Sequence, residues 1–232
     1  MNNYIEIITI VEGKTEEIFI NALLNPYLSK KNIFMCATQI SKPGQKGGDV
    51  RFKRMKNDIE IHLKQSSDTY ITTFIDYYGV KEWPGLELLP QQATSEQISK
   101  IVNGATKEEV IKLFPNQNAK HRFIPYMAIH EFESLLFSDS IKLSKELGIN
   151  EREVNDILKE FGSPESINNS PQTAPSKRLD AWSKKGKFPK TTTGITIAID
   201  IGIESMRVKC PLFDTWLKEL EQIVTYVQKE IK

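Results

Sequence analysis

The stretch ITIVEGKTEEIF, residues 8–19, decides the fold. An isoleucine-rich run from Tyr4 to Val11 reads as a buried strand. It passes straight into Glu12 and Gly13, and then into a helical pattern over residues 16–30. That pattern places Phe19, Ile20, Leu23, Leu24, Tyr27 and Leu28 on one face. Thr15 is the expected N-cap and Pro26 the expected kink. An acidic residue at a strand-to-helix junction stands where open α/β sheets present side chains to a ligand.

Working outward, residues 33–40 read as a second strand, followed by the loop SKPGQKGGDV. Residues 50–65 are predicted helical, with Met55, Ile59 and Leu63 on one face and Arg51, Lys53, Arg54 and Lys56 on the other. TYITTFI, residues 69–75, is a β-branched and aromatic strand that ends at Asp76. Strand, helix, strand, helix, strand implies right-handed crossovers and a largely parallel sheet. Helix is predicted over 94–114, with Gly104 as a candidate break, and a fourth strand over 121–129 ends in the polar HEFE. Helical patterns follow at 132–137, 140–147 and 150–161, an irregular surface segment rich in Pro, Ser, Asn and Lys at 162–193, and a last helix at 213–231. The expected class is α/β, a mostly parallel sheet flanked by helices with a helical C-terminal portion. The expected division is a core over 1–139 and an extension over 140–232 packed on it.

Composition narrows the function. With 39% hydrophobic and 26% charged residues the chain has the make-up of a soluble globular protein, and a net charge of +1 gives no global field toward nucleic acid or membrane. Cys36 and Cys210 form no metal-ligand spacing and read as buried, reduced thiols. MNNYIEIITI lacks the basic region and cleavage site of a signal peptide, and its apolar run is too short to span a bilayer. A cytoplasmic protein with no membrane partner is expected.

Three of the four predicted strands end in acid: the first at Glu12, the third at Asp76, the fourth at Glu131 and Glu133. Carboxylates gathered on one rim repel one another and call for a divalent cation, shared protons or a cationic partner. Hard oxygen ligands suit Mg²⁺ or Mn²⁺, and the lack of a Cys or His cluster argues against zinc. Such a site would position a phosphodiester and activate water. Each carboxylate also has a plainer reading: Glu12 as a turn residue, Asp76 in an Asx turn, Glu131 and Glu133 as first-turn helix acids. Glu16, one turn beyond Glu12, either joins the metal rim or serves as a helix-start acid; Glu17 is expected to be solvated. His130 is either a general base or a packed histidine.

Two segments are locally basic. One contains Lys42, Lys46 and Arg54, with Gly44, Gly47 and Gly48 allowing close backbone approach to a phosphate. The other contains Lys177, Arg178 and Lys190, interleaved with Trp182 and Phe188 as stacking candidates. Lys42, Lys46, Arg54, Lys177 and Arg178 are the expected nucleic-acid contacts, against the plainer reading of solvated charge.

VEGKTEE (residues 11–17) resembles the first acidic motif of TOPRIM domains, shared by topoisomerases, primases and overcoming-lysogenization-defect (OLD) nucleases, and FIDYYG (74–79) resembles their later motif. More closely, the chain is similar to a bacterial TOPRIM-like family catalogued as a domain of unknown function. That similarity runs through PYMAIHEFESLLFSD (125–139), PSKRL (175–179) and IGIESMRVKCPLFDTWLKEL (201–220). The resemblance implies a TOPRIM-like core and a Mg²⁺-dependent endonuclease, an effector of anti-phage defence acting with an ATPase partner. Glu12 matches the TOPRIM glutamate and Asp76 the first aspartate of Asp-x-Asp, while Tyr78 stands in place of the second. Glu131 or Glu133 is then expected to supply the missing ligand. The alternative it leaves open is a catalytically inactive binding or regulatory module serving the ATPase.

Overall fold

The computed structural model describes residues 4–41, 50–129, 131–167, 170, 172–184 and 186–230, the side chains of 227–230 apart. The expected contacts Lys42 and Lys46, the glycines at 44, 47 and 48, and His130 lie outside the described residues. The chain forms two compact units, one of Met1–Ile75, Gly79–Met127 and Trp216–Lys232, the other of Asp76–Tyr78 and Ala128–Thr215.

The first unit opens with β1 (Ile5–Val11), α1 (Lys14–Phe19), α2 (Asn25–Ser29), β2 (Ile33–Gln39), α3 (Phe52–Gln65) and β3 (Thr69–Asp76). α4 (Ser95–Leu113), α5 (Ala119–Arg122), β4 (Phe123–Ile124) and β5 (Met127–Ala128) follow. The sheet order is β2-β1-β3-β4, with β5 also on β3. All three pairs along that path are parallel; Val11 lies opposite Gln39 on one side and Phe74 on the other. The central strands are buried on both faces, as parallel strands covered by helices must be: Ile7, Ile10, Val11, Ile71, Phe74 and Ile75 are all core. The expected mostly parallel α/β sheet is therefore present.

Four local expectations change. Gly13, in extended backbone, precedes the first helix, and no side chain caps it; Thr15 is already helical and buried. The first helical bond runs from Glu17 N–H to the Gly13 carbonyl. Pro26 is accommodated by a π turn at Ile20–Leu24, which rewinds the helix just before α2. Gly104 does not break α4, which begins in a capping box between Thr94 and Gln97 and runs on to Leu113. The predicted fourth strand over 121–129 is a helical turn and two short strands, because Pro125 between them has no N–H for a ladder. Arg122 turns inward there, buried, its guanidinium donating to the carbonyls of Leu63, Ser66, Thr69 and Gln117.

Two asparagines dress the outer edge of the sheet. Asn25 Oδ1 accepts from Met35 N–H and Asn21 Oδ1 from Ala37 N–H, at 3.0 and 3.1 Å. Residues four apart on a helix rise about 6 Å, close to the roughly 6.6 Å between alternate residues of a strand, so the two side chains match two successive outward donors.

The second unit carries a turn of 3₁₀ helix at Phe132–Ser138, then α6 (Ser140–Leu147), α7 (Glu151–Phe161), α8 (Pro175–Trp182), α9 (Ile195–Ile201) and α10 (Ile203–Lys209). Asp139 and Asn150 cap α6 and α7 through Lys142 N–H and Arg152 N–H. Residues 162–193 are not an irregular surface segment. They contain α8, and Pro164, Ile167, Ala174, Leu179 and Phe188 are buried. α11 (Pro211–Glu230) gives its first residues to this unit, where Leu212 N–H and Phe213 N–H are held by the buried Glu165 carboxylate, each at 2.8 Å. Its remainder packs on the sheet of the first unit, as expected. Trp216 stacks on Tyr126 at 4.5 Å and donates to Thr72 Oγ1, whose hydroxyl donates to the Ile124 carbonyl.

Among the described residues, no helix is long and apolar enough to cross a membrane. Both cysteines are free thiols, but only Cys210 is buried; Cys36, on the edge strand β2, is exposed.

Candidate functional site

The second unit gathers three of the predicted acids. Asp76 is the last residue of β3, Glu131 precedes the Phe132–Ser138 turn, and Glu133 lies in its first turn. Every residue of that turn is buried, which carries Glu133 inward to 1% exposure. Asp76 Oδ1 accepts from Phe132 N–H at 2.9 Å, so the aspartate binds the start of the turn that bears Glu133.

Glu131 is held from α8. Pro175, which has no donor to lose, occupies the first helical position, and the next N–H belongs to Ser176. Ser176 N–H reaches Glu131 Oε2 at 2.8 Å and its hydroxyl reaches Oε1 at 2.7 Å. A carboxylate here meets helix donors that have no partner within the helix, and the positive end of the helix dipole.

Glu133 is treated differently. Lys190, at the start of a π turn (Lys190–Gly194), brings Nζ to 2.6 Å from Oε1. This is a contact of charges rather than an aligned hydrogen bond, and among the described residues neither Glu133 oxygen has a hydrogen-bond partner. Burial pushes the Glu133 carboxyl above its ordinary value and Glu131 adds to the rise, while Lys190 pulls it back. Desolvation pulls Lys190 down, but the carboxylates of Glu133, Glu131 and Asp76 outweigh it and hold the ammonium above the usual lysine range. The lysine is therefore the counter-charge of all three acids.

Glu12 and Glu16 stand in the first unit, at the exit of β1. Glu16 is buried, and its Oε2 curls back over Gly13, 3.3 Å from where a Cβ on that glycine would lie. Glu17 is not simply solvated: Lys14 and Gln39 both donate to it. Arg54 lies on α3 in the same unit, half-buried. Lys177 is 51% exposed, with Asp180 3.9 Å away. Arg178 is turned to structure, donating to the Thr173 carbonyl and covering the Phe161 ring. Trp182 and Phe188 are not stacking platforms either: the Trp182 indole donates to Glu153 and packs on Phe137, and Phe188 is buried against Gly194.

As arranged, the acids do not fit a metal ion. Among the described residues, no group of three or more His, Cys, Asp or Glu side chains is placed to hold one. Ser176 takes both oxygens of Glu131, Phe132 N–H takes one of Asp76, and the Lys190 ammonium faces Glu133. Sequence reasoning missed Ser176 altogether and placed Lys190 only in a basic surface run. No local pattern joins Lys190 to Glu133, 57 positions earlier.

A parallel α/β sheet in one unit and an acid–lysine cluster in the other define the architecture. The chain belongs to the family described as a domain of unknown function, DUF4276, whose family model matches residues 11–221. No curated protein and no solved structure matches the chain.

Proposed function

We propose that the chain is a Mg²⁺- or Mn²⁺-dependent phosphodiester hydrolase acting on nucleic acid, with a TOPRIM-like core. Asp76, Glu131, Glu133 and Lys190 are its working cluster. The observation that carries this reading is Glu133: a carboxylate at 1% exposure, with no hydrogen-bond partner for either oxygen among the described residues and one ammonium against it. A buried charge left so incompletely satisfied is destabilising, and such groups concentrate at functional sites. A divalent cation, when bound, supplies polarisation of the phosphate and activation of water. Lys190 offers positive charge for a phosphate oxygen, and Lys177 an exposed cation for the backbone. Glu12 and Glu16, in the first unit, are proposed as acidic ligands in their own right. An effector role in anti-phage defence beside an ATPase is the biological setting we propose.

Purified protein incubated with DNA and RNA should cleave one of them only with Mg²⁺ or Mn²⁺ present. Glu133→Gln and Asp76→Asn should each lose at least a hundredfold while keeping the native circular dichroism. Cleavage undiminished in both variants refutes the assignment.

One observation favours a second reading, the missing metal-holding group. Here Lys190 is a permanent counter-ion, and the chain is an inactive binding or regulatory module for an ATPase partner. Calorimetry showing no Mn²⁺ binding at millimolar concentration, together with a stable complex with an ATPase, selects this reading.

A further inference from the structure

We propose that Lys190 is a removable plug in the acidic cluster. Its ammonium stands in for a cation, and a divalent ion enters as the lysine side chain swings out. The proposal rests on reading the cluster as a metal-using site, and it accounts for the absence of a metal-holding group among the described residues.

The acids are fixed and the cation is not. Glu131 is clamped through both oxygens by Ser176, and Asp76 is bonded to Phe132 N–H. Glu133 sits in a wholly buried turn. Lys190 has a side chain 41% exposed, so a path to water lies along its own stem. A lysine is a compact, strongly hydrated charge on four flexible methylenes, and moving it into solvent recovers its hydration.

The backbone beneath it stays in place. Phe188 N–H donates to Asp180 of α8, Gly194 N–H returns to the Pro189 carbonyl, and Gly194 lies so close to the Phe188 ring that a Cβ there would be 3.2 Å from it. The motion is therefore a change of side-chain rotamer. What it uncovers is the Glu133 carboxylate, buried and without a hydrogen-bond partner among the described residues, beside two further carboxylates. Three acids and one ammonium leave an excess of two negative charges, the charge of one divalent cation.

The test titrates Mn²⁺ into the whole chain by calorimetry. Lys190→Met should bind Mn²⁺ more tightly than the unsubstituted protein, by on the order of tenfold or more, because one repelling charge is removed at close range. Lys190→Arg, which keeps the charge, should show no gain, and adding Glu133→Gln to Lys190→Met should erase it. Equal affinity in Lys190→Met and the unsubstituted chain, or a gain that survives Glu133→Gln, overturns the proposal. If Lys190→Met does not fold, acylation of lysines in the unsubstituted protein, read by mass spectrometry, decides. Millimolar Mn²⁺ should raise modification at Lys190 relative to Lys177, and an unchanged ratio overturns the plug. A chain that cleaves nucleic acid but lacks these effects loses the plug and keeps the hydrolase. A chain that shows them but cleaves nothing loses the hydrolase and keeps the plug.

Discussion

Ser176→Ala tests whether α8 is the bracket of the acidic cluster. The substitution removes the hydroxyl that meets Glu131 Oε1 at 2.7 Å and leaves the N–H that meets Oε2 at 2.8 Å. Both residues are buried, so water does not freely replace the lost donor. A hydrogen bond to a charged partner contributes roughly 1.5–3 kcal/mol, which sets the expected loss at about 2 kcal/mol. For a chain of 232 residues that is a fall in Tm of about 4–8 °C. Ser176→Thr keeps the hydroxyl and should recover most of it. The assay is urea denaturation followed by tryptophan fluorescence, with Trp182 reporting from α8 itself. Run as a double-mutant cycle with Glu131→Gln, it should give a coupling of about 1.5 kcal/mol or more. A coupling under about 0.5 kcal/mol, or a threonine variant no better than alanine, refutes the bracket.

Three further outcomes are expected. Glu165→Ala deprives Leu212 N–H and Phe213 N–H of their shared carboxylate and should lower stability by about 3 kcal/mol, read as a shift of the urea midpoint. A thiol reagent should modify one cysteine of the native protein, the exposed Cys36. Burial pushes the Cys210 thiol far up and shields it, so the second equivalent should react only on unfolding. Hydrogen bonds from Gln39 and Lys14 hold the Glu17 carboxyl below its ordinary value. Its contribution is therefore present above the unfolded glutamate pKa, about 4.3, and is lost as pH falls through the lower folded value. Glu17→Gln should flatten the dependence of Tm on pH in that acid window and change nothing at neutral pH.

The parallel sheet was legible because its signals are local. β-branched runs set β1 and β3, the spacing of Met55, Ile59 and Leu63 set the buried face of α3, and Asp76 ends its strand as read. The same logic failed where two local signals competed. Over 121–129, apolar residues suggested one strand, but Pro125 broke the ladder and Arg122 found four backbone carbonyls to hold it in a helical turn. α8 was hidden by its flanks of Pro, Ser and Lys, which lower hydropathy without preventing a helix that starts at Pro175. The candidate site was half legible: three acids could be named from strand ends and turn starts. The partners that define their state, Ser176 and Lys190, are contributed from 45 and 57 positions away and carry no periodic mark.

The pairing of Asn21 and Asn25 with β2 has a consequence for assembly. A sheet edge normally offers a row of free amides to any extended peptide, and many recognition events and aggregates begin by adding a strand there. On this edge two successive outward N–H groups, those of Met35 and Ala37, are already taken by side chains of the chain's own helical segment. An incoming strand would have to break both bonds before forming its own. Two amide side chains thus act as a guard on the lengthening of the sheet, and replacing both by alanine would turn a closed border into an open template.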